Sequence, residues 1–395
     1  MTSDVVVVGA GTMGAWTALW ARRSGRAVTL VDAYGAGHPR ATSGGETRII
    51  RASHGTDVLY TRWSRRARTL WQEANEEWGE PLFQQAGCLW FASRADGFEA
   101  DSEATLRAEG IPAERLTPAE VAARWPHIAA DDVAFALFEP EAGLLLARRA
   151  VMAIARALTA EGGRFELATA RPGARDGRTL GSVTTADGGT IAGGTFVFAC
   201  GPWLPRLFPD VLGDLIRVTK QDVLFFGSPA GDSSYDASRT PCIVDYDAAM
   251  YGVPAVDGRG FKAAPDRYGP VFDPSRGDRL VDPESVRLAR AFIERRFPGL
   301  AGQPIVETRV CQYETTPDTN FVIDRHPDFD NVWLVGGGSG HGFKHGPVIG
   351  RYVVDRLDGA PLGEGEERFG LDRPRISQAG VRTGGDSIAK HWQGY

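Results

Sequence analysis

A glycine-rich turn between two apolar strands, near the start of the chain, constrains the fold more than any other feature. Residues 4–33 read DVVVVGAGTMGAWTALWARRSGRAVTLVDA, with a Gly-x-Gly-x-x-Gly turn at Gly9, Gly11 and Gly14. In a dinucleotide-binding βαβ unit the first glycine permits the turn, the second admits the pyrophosphate, and the third lets the helix pack closely. Asp32 ends the second strand, where an acid accepts hydrogen bonds from ribose hydroxyls. The segment therefore predicts a dinucleotide-binding domain.

Length and composition limit the remaining possibilities. A chain of 395 residues with 43% hydrophobic and 24% charged residues predicts a folded protein of about two domains. The net charge is −6, and Lys and Arg form no continuous block, which argues against nucleic acid as a partner. The first apolar run, residues 5–8, is too short to span a bilayer and follows no basic segment, so we expect a cytoplasmic protein with no membrane partner.

The four cysteines need a separate explanation, because their spacing matches neither a zinc site nor a disulfide framework. We therefore expect no bound metal. Cys88, Cys200 and Cys242 are interpreted as small buried hydrophobic residues. Cys311 lies in the stretch RVCQYETTPD, residues 309–318, where its neighbours alone indicate only another buried structural thiol.

Periodicity along the rest of the chain indicates two interleaved domains. Apolar residues at helical spacing predict a helix over residues 57–78, and capping signals at Thr117 and Asp282 predict two more helices. Residues 331–357 are predicted to form a strand, a glycine-rich turn and a helix, and residues 188–203 to rejoin the nucleotide-binding domain. A separate, largely antiparallel sheet is predicted from strand-like runs at residues 88–92, 223–226, 242–244 and 305–311.

Four motifs together resemble one family. They are VVVVGAGTMG in the nucleotide-binding turn, TSGGETRIIR at residues 42–51, CQYETTPD from Cys311, and GSGHGFKHG at residues 338–346. In this order they resemble the monomeric sarcosine oxidase and N-methyltryptophan oxidase family, and the likeness extends to about residue 360. FEPEAGLL (138–145) and YGVPAVDGRGFK (251–262) belong to the same resemblance.

The resemblance implies an α/β fold with an α+β second domain. A glutathione-reductase-like FAD-binding domain with a Rossmann βαβ unit would interleave with a substrate domain built on a mixed, largely antiparallel sheet. We assign residues 1–80, 145–215 and 315–363 to the FAD-binding domain and residues 81–144 and 216–314 to the substrate domain. Residues 364–395, rich in Gly, Arg and Asp, are expected to form a surface tail.

The same resemblance implies that FAD is attached covalently through a cysteine sulfur. Cys311 matches that cysteine by its context C-x-Y-x-x-T-P-D, and Arg309 is expected to favour its thiolate. Gly340 and Gly342, in the turn before the last helix, are expected to contact the cofactor, because a helix N-terminus stabilises negative charge.

Further residues take roles by the same match. Arg51 and Lys344 correspond to the two cations that hold a substrate carboxylate, and Arg48 to a residue beside the flavin. Lys262 corresponds to the lysine that helps oxygen accept electrons, since a fixed ammonium stabilises developing superoxide. Tyr251 and Tyr313 match tyrosines of the substrate pocket.

Two positions depart from the sarcosine oxidase pattern. Gly44 and Asp266 each stand where those enzymes carry a histidine. We expect Gly44 to leave space for a substrate larger than sarcosine. We expect the Asp266 carboxylate to orient a substrate nitrogen and to accept or relay its proton.

The predicted function is oxidation of the C–N bond of an N-methyl or cyclic amino acid to an imine, with O₂ reduced to H₂O₂. Alternatives are a flavin-dependent dehydrogenase that passes electrons to a protein, against which Lys262 argues, and a non-catalytic flavin-bearing subunit of a larger complex. A nicotinamide-dependent dehydrogenase fits the first thirty residues but leaves Cys311 unexplained. The expected partners are a small amino acid and O₂, and the expected assembly is a monomer or small homo-oligomer.

Overall fold

Capping residues set the starts of several helices in the computed structural model, which describes residues 2–373. Asp57 accepts a hydrogen bond from the Tyr60 amide, and Thr117 forms a reciprocal capping box with Glu120. The predicted helices at these positions and after Asp282 are confirmed. The α-helices are α1 (Thr12–Arg23), α2 (Val58–Trp78), α3 (Phe98–Ala108), α4 (Pro118–Arg124), α5 (Ala147–Ala160), α6 (Leu204–Leu207), α7 (Pro209–Leu212), α8 (Pro283–Arg296) and α9 (Gly346–Leu357).

The strands of residues 2–373 precede or lie between these helices along the chain, singly or in runs of up to six. They are β1 (Ser3–Val8), β2 (Val28–Asp32), β3 (Arg48–Ile50), β4 (Phe83–Gln84), β5 (Cys88–Ala92), β6 (Glu114–Leu116), β7 (Phe135–Glu139), β8 (Gly143–Leu145), β9 (Arg164–Leu167), β10 (Ala170–Pro172), β11 (Arg175–Asp176), β12 (Thr179–Leu180), β13 (Ser182–Thr185), β14 (Thr190–Phe198), β15 (Arg217–Phe226), β16 (Cys242–Asp245), β17 (Met250–Val253), β18 (Phe261–Pro265), β19 (Ile305–Thr315), β20 (Val322–Arg325) and β21 (Val332–Gly336).

The first large sheet contains the predicted βαβ unit. β1 lies between β2 and β14 and runs parallel to both, and β9 and β21 extend the parallel part on either side. The predicted return of the chain to this domain near residue 190 is therefore confirmed. Helix α1 packs against α5 and α9, and their apolar side chains cover one face of the sheet. This arrangement directs the carboxyl ends of β1 and β2 toward one edge, where ligands bind in open α/β sheets.

The second large sheet has the order β19-β15-β18-β17-β16-β5-β7-β6. Every neighbouring pair is antiparallel except β16 and β5, which confirms the expected largely antiparallel sheet. β15 and β19 are longer than predicted, because their register is continuous from Arg217 opposite Thr315 to Phe225 opposite Glu307. The strands β3, β8 and β4 form a short sheet in that order. β3 begins at Arg48, within the motif TSGGETRIIR, and pairs with β8.

The expected surface tail does not begin at residue 364. Residues Glu366–Phe369 form a 3₁₀ helix, and the Phe369 ring is fully buried against Trp63 and Phe321. Arg373 is also buried and pairs with Asp318. Apolar burial and this ion pair therefore hold the segment on the body of the protein, while residues 374–395 lie outside the described residues. The division into two domains at the stated boundaries stays a prediction.

Within residues 2–373, no helix combines the length and the apolar character needed to cross a bilayer.

Candidate active site

One cavity of about 380 Å³ brings together residues from both large sheets. Its volume lies within the range of cofactor and ligand sites. The predicted site residues that line it are Gly9, Gly11, Asp32, Arg48, Arg51, Tyr251, Lys262, Asp266, Cys311, Tyr313, Gly340, Gly342 and Lys344. Gly14 lies beneath it in α1. The fold thus gathers side chains that are as much as 335 positions apart in sequence.

The glycines of the first turn meet distinct steric demands. Gly9 has φ +109°, and a Cβ there would lie 2.3 Å from the Ala199 carbonyl oxygen. A Cβ on Gly14 would lie 1.9 Å from the Gly9 oxygen, so only glycine lets α1 start this close to the strand. At Gly11 the nearest atom to a Cβ is the Ser43 Oγ at 3.4 Å, which leaves the backbone open toward the cavity.

Backbone amides hold the Asp32 carboxylate in a fixed position at the end of β2. Its Oδ2 accepts from the Ala10 amide at 2.8 Å, and its Oδ1 accepts from the amides of Tyr34 and Gly35, each at 2.8 Å. A fixed carboxylate at this edge, beside the N-terminus of α1, matches what the ribose and pyrophosphate of a dinucleotide require. These residues fit FAD.

The cation beside Cys311 is Arg48. Its Nη2 lies 3.4 Å from the Cys311 Sγ, and the guanidinium also donates to the carbonyl oxygens of Thr42 and Thr47. Arg309, which we expected to favour the thiolate, is instead paired with two carboxylates, Glu46 at 2.8 Å and Glu307 at 2.6 Å. Arg48 can therefore stabilise a negative charge on this sulfur.

Lys262 is a buried ammonium on β18. Its side chain is 3% exposed, its Nζ donates to the Thr47 carbonyl oxygen at 3.0 Å, and it lies 5.1 Å from the centre of the Tyr251 ring. Burial, followed by the nearby Arg48, lowers the pKa of Lys262 from 10.5 to about 7. A lysine with this pKa gains or loses its charge near neutral pH, in response to any charge that forms beside it.

Asp266 and Tyr313 form a polar pair on the cavity wall. The Tyr313 hydroxyl donates to Asp266 Oδ1 at 2.9 Å, and burial raises the pKa of Tyr313, so this phenol remains a donor. Asp266 follows the last residue of β18 and is half-buried. Its second carboxylate oxygen can accept from a ligand.

Arg51 and Lys344 reach the same cavity from different segments. The Arg51 guanidinium lies 5.2 Å from the centre of the Trp90 ring and donates to the Ser53 carbonyl oxygen. Lys344 stands in the 3₁₀ turn Phe343–His345 that precedes α9, is 3% exposed, and has its Nζ 3.4 Å from the His341 carbonyl oxygen.

Glu139, in the motif FEPEAGLL, fixes the chain that follows Arg51, although sequence analysis gave it no role. It is 2% exposed and accepts from the amides of Ala52 and Ser53, from the Ser53 hydroxyl and from the Trp90 indole. The motif resemblance was a signal that could have found this residue, but only the structure shows which backbone it holds.

Sequence analysis also missed three buried histidines beside the two cations. His54, His341 and His345 are 5%, 5% and 0% exposed, and the first two line the cavity. Burial, then Arg51 and Lys344, hold the pKa of His54 well below its ordinary value. No sequence spacing links His54 to the other two, so nothing in the sequence predicted the group.

Gly44 does not provide the extra cavity space that we expected. The residue is buried, and a Cβ at this position would lie 1.9 Å from the His38 carbonyl oxygen. Its lack of a side chain serves the close approach of two backbone segments. Gly44 therefore does not leave space for a substrate larger than sarcosine, and that prediction is wrong.

Comparison with known proteins bears on the cofactor. The model of the family described as FAD dependent oxidoreductase matches residues 4–356. This chain belongs to the FAD-dependent oxidoreductase family. It is 32% identical over 384 residues to the monomeric sarcosine oxidase of Streptomyces avermitilis, which covers 95% of this chain and 97% of that protein. It is also 27% identical to N-methyl-L-tryptophan oxidase of Salmonella dublin, over 90% and 94% of the two chains.

These matches confirm the resemblance that the motifs indicated. A solved structure, the L-proline dehydrogenase of P. horikoshii, matches with a TM-score of 0.82 over 94% of this chain and 97% of that one. At 22% identity, that likeness shows a shared fold. The protein is thus an FAD-dependent oxidoreductase of the sarcosine oxidase family, and its Rossmann and antiparallel sheets are those of the family fold.

The pKa of Lys262 predicts a pH dependence of stability. Between pH 7 and about 10.4 the unfolded state binds a proton at this lysine and the folded state does not, so the free energy of unfolding rises with pH, by at most about 1.4 kcal/mol per pH unit. In urea unfolding of the oxidised holoenzyme at several pH values, the wild type should therefore gain stability relative to Lys262→Met across this window. A difference between the two proteins that does not change with pH would contradict the prediction.

Proposed function

We propose that the protein is an amino acid oxidase that oxidises a secondary amine, N-methylated or cyclic, to an imine and reduces O₂ to H₂O₂. The observation that carries this proposal is the meeting of two cations, the half-buried Arg51 and the buried Lys344, with the Asp266–Tyr313 pair and Lys262 on one cavity. The names of the two relatives, a sarcosine oxidase and an N-methyl-L-tryptophan oxidase, both refer to N-methyl amino acids, which supports the same substrate class.

Arg51 and Lys344 would bind the substrate carboxylate. Burying an ammonium is costly unless a partner stabilises it, and Lys344 is 3% exposed. A substrate carboxylate would add a charge-assisted partner for both side chains, with the planar Arg51 group able to form two hydrogen bonds. Glu139 supports this arrangement because it fixes the backbone of Ala52 and Ser53, directly after Arg51.

Asp266 would orient the amine. An amino acid arrives with a protonated nitrogen that must lose its proton before oxidation, so a carboxylate within reach can bind the nitrogen and take up or relay that proton. The hydrogen bond from Tyr313 fixes one carboxylate oxygen and leaves the other for the substrate. Asp266 is one of the two positions that depart from the sarcosine oxidase pattern, and it supports a substrate other than sarcosine.

Lys262 would promote the reduction of O₂ by stabilising the negative charge that forms on it. FAD, when bound, accepts two electrons from the substrate and delivers them to an acceptor. Because Lys262 is buried and has a pKa of about 7, a negative charge forming beside it would favour its ammonium form, which stabilises a reduced oxygen species. This argues against the alternatives of a protein-coupled dehydrogenase and a non-catalytic subunit.

Cys311 would hold the cofactor covalently. Its half-buried thiol lines the cavity, and the Arg48 Nη2 at 3.4 Å can stabilise the thiolate that forms the bond. With FAD bound, Cys311 would supply the sulfur that holds it and Arg48 would stabilise the thiolate, and O₂ would accept as H₂O₂ the two hydrogens given up on attachment. The cytoplasmic location, and the monomer or small homo-oligomer, stay predictions.

Replacement of Cys311 should free the cofactor. Acid-precipitated wild type is expected to remain yellow, whereas Cys311→Ala should release its flavin into the supernatant, as measured by absorbance. Cys200→Ala is the matched control, because Cys200 also lines the cavity, but its thiol donates to the Val8 carbonyl oxygen at 3.3 Å. A colourless wild-type pellet, or a yellow Cys311→Ala pellet, would show that the linkage is wrong.

Loss of either Arg51 or Lys344, the two residues proposed to bind the substrate carboxylate, should weaken binding of acidic substrates. For Arg51→Ala and Lys344→Ala we expect KM for the best amino acid to rise at least about tenfold, since a hydrogen bond between charged groups contributes roughly 1.5–3 kcal/mol. The corresponding amide should be a poor substrate whose KM these substitutions leave unchanged. Arg62→Ala, which removes an exposed pair with Glu109, serves as the control. An unchanged KM for the acid in both variants would show that Arg51 and Lys344 do not bind the substrate carboxylate.

Removing the charge of Asp266 should slow amine oxidation. Asp266→Asn retains an oxygen that can accept from Tyr313 but cannot take the substrate proton, so kcat/KM should fall by about 10²–10⁴ while the flavin remains attached. Asp232→Asn, at another half-buried aspartate that is not among the residues lining the cavity, is the control. Steady-state peroxide release is the measurement, and sarcosine should be turned over slowly. Wild-type activity in Asp266→Asn, or efficient sarcosine oxidation, would overturn this role.

A further inference from the structure

Three histidines from two distant segments form a compact buried group beside the cavity. His54 follows the β3 motif, whereas His341 and His345 belong to the turn and 3₁₀ helix that precede α9. One nitrogen of each ring can be chosen such that all three lie within 4.8 Å of one another. All three side chains are at least 95% buried.

Backbone carbonyls fix the tautomers of two of these rings. The Nδ1 of His54 lies 3.0 Å from the Ala52 oxygen, and the Nε2 of His341 lies 3.0 Å from the Thr319 oxygen. A carbonyl can only accept, so these nitrogens carry the protons, and in the neutral rings the His54 Nε2 and the His341 Nδ1 carry the lone pairs. Histidines that bind metals show this same second hydrogen bond from the distal nitrogen.

The spacing of the rings also suits a common ligand. The ring centres of His54 and His341 are 6.1 Å apart, and His345 is 5.7 Å from each of them. Three imidazoles that bind one ion at about 2.0–2.1 Å have their ring centres roughly 5–6 Å apart. The ring spacing is therefore compatible with three imidazoles around one ion, and the nitrogens, which all lie within 4.8 Å of one another, would have to converge when the ion binds.

We propose that His54, His341 and His345 form a binding site for a divalent transition metal ion such as Zn²⁺ or Co²⁺. Neutral imidazoles are the ligands that these ions favour, and three of them leave one coordination position open. That position can be reached through the cavity, because His54 and His341 line it. The cysteine spacing gave no sign of this site, since its ligands are histidines. The proposal does not rest on the amine oxidase activity.

Nearby charges set the conditions for such a site. Arg51 and Lys344 are the cations closest in the chain to these histidines, and both face the same cavity. Among the other charged groups, Asp318 is paired with Arg373. The positive side chains oppose a bare dication, so the fourth ligand is expected to be an anion such as hydroxide.

Cobalt provides a direct test. Untagged, metal-free holoenzyme would be titrated with Co²⁺, whose visible bands in a four- or five-coordinate site appear at longer wavelengths than flavin absorption. Calorimetry with Zn²⁺ would give the stoichiometry. The variants are His54→Gln and His345→Gln, and His127→Gln is the control, because His127 contacts Thr240 and Tyr235 in the other apolar core. Flavin absorbance and Tm would verify that each variant folds.

We expect saturable binding of one ion per chain, with an intense cobalt spectrum. Affinity should fall at least about tenfold in the two cluster variants and stay unchanged in the control. If a cluster variant does not fold, the wild-type measurement still decides. An absence of saturable binding in the wild type, a six-coordinate cobalt spectrum, or binding that His54→Gln and His345→Gln leave unchanged would overturn the proposal, and the histidines would then be core residues.

Discussion

The burial of positive charge around one cavity is the constraint on which the rest of this structure depends. Lys262 and Lys344 are each 3% exposed, and an ammonium in such a position must be stabilised by carbonyl oxygens or by an anion. The carbonyl oxygens of Thr47 and His341 are placed to meet part of this demand. What remains is a site prepared for negative charge, whether from a substrate carboxylate or from a reduced oxygen species.

One short segment organises much of this site. Residues 42–54 lie between the nucleotide-binding unit and α2, and β3 pairs with β8 to hold their middle. From this segment Ser43 accepts a hydrogen bond from the amide of Thr12 at the start of α1, Arg48 contacts the Cys311 thiol, and Arg51 lines the cavity. The proposed cofactor attachment and the proposed substrate binding would thus both depend on a single piece of backbone.

Sequence predicted what depends on local patterns and on motifs. The βαβ unit, the capped helices and the antiparallel sheet follow from periodicity and capping, and the motifs placed Lys262, Asp266 and Lys344 on one site before their contacts were known. Contacts between distant segments could not be predicted. Arg48 rather than Arg309 lies beside Cys311, because Arg309 is paired with Glu46, and the three histidines meet through tertiary packing alone. Phe369 is buried for the same reason.

The most direct test of the account is the fate of the electrons. Purified holoenzyme would be reduced anaerobically with a panel of N-methyl and cyclic amino acids, and then mixed with oxygenated buffer while flavin absorbance and peroxide are followed. The account predicts that at least one member of the panel reduces the flavin, and that oxygen alone restores it with one H₂O₂ for each substrate oxidised. A flavin that is reduced by an amino acid but stays reduced in oxygen, or that no member reduces, would contradict it.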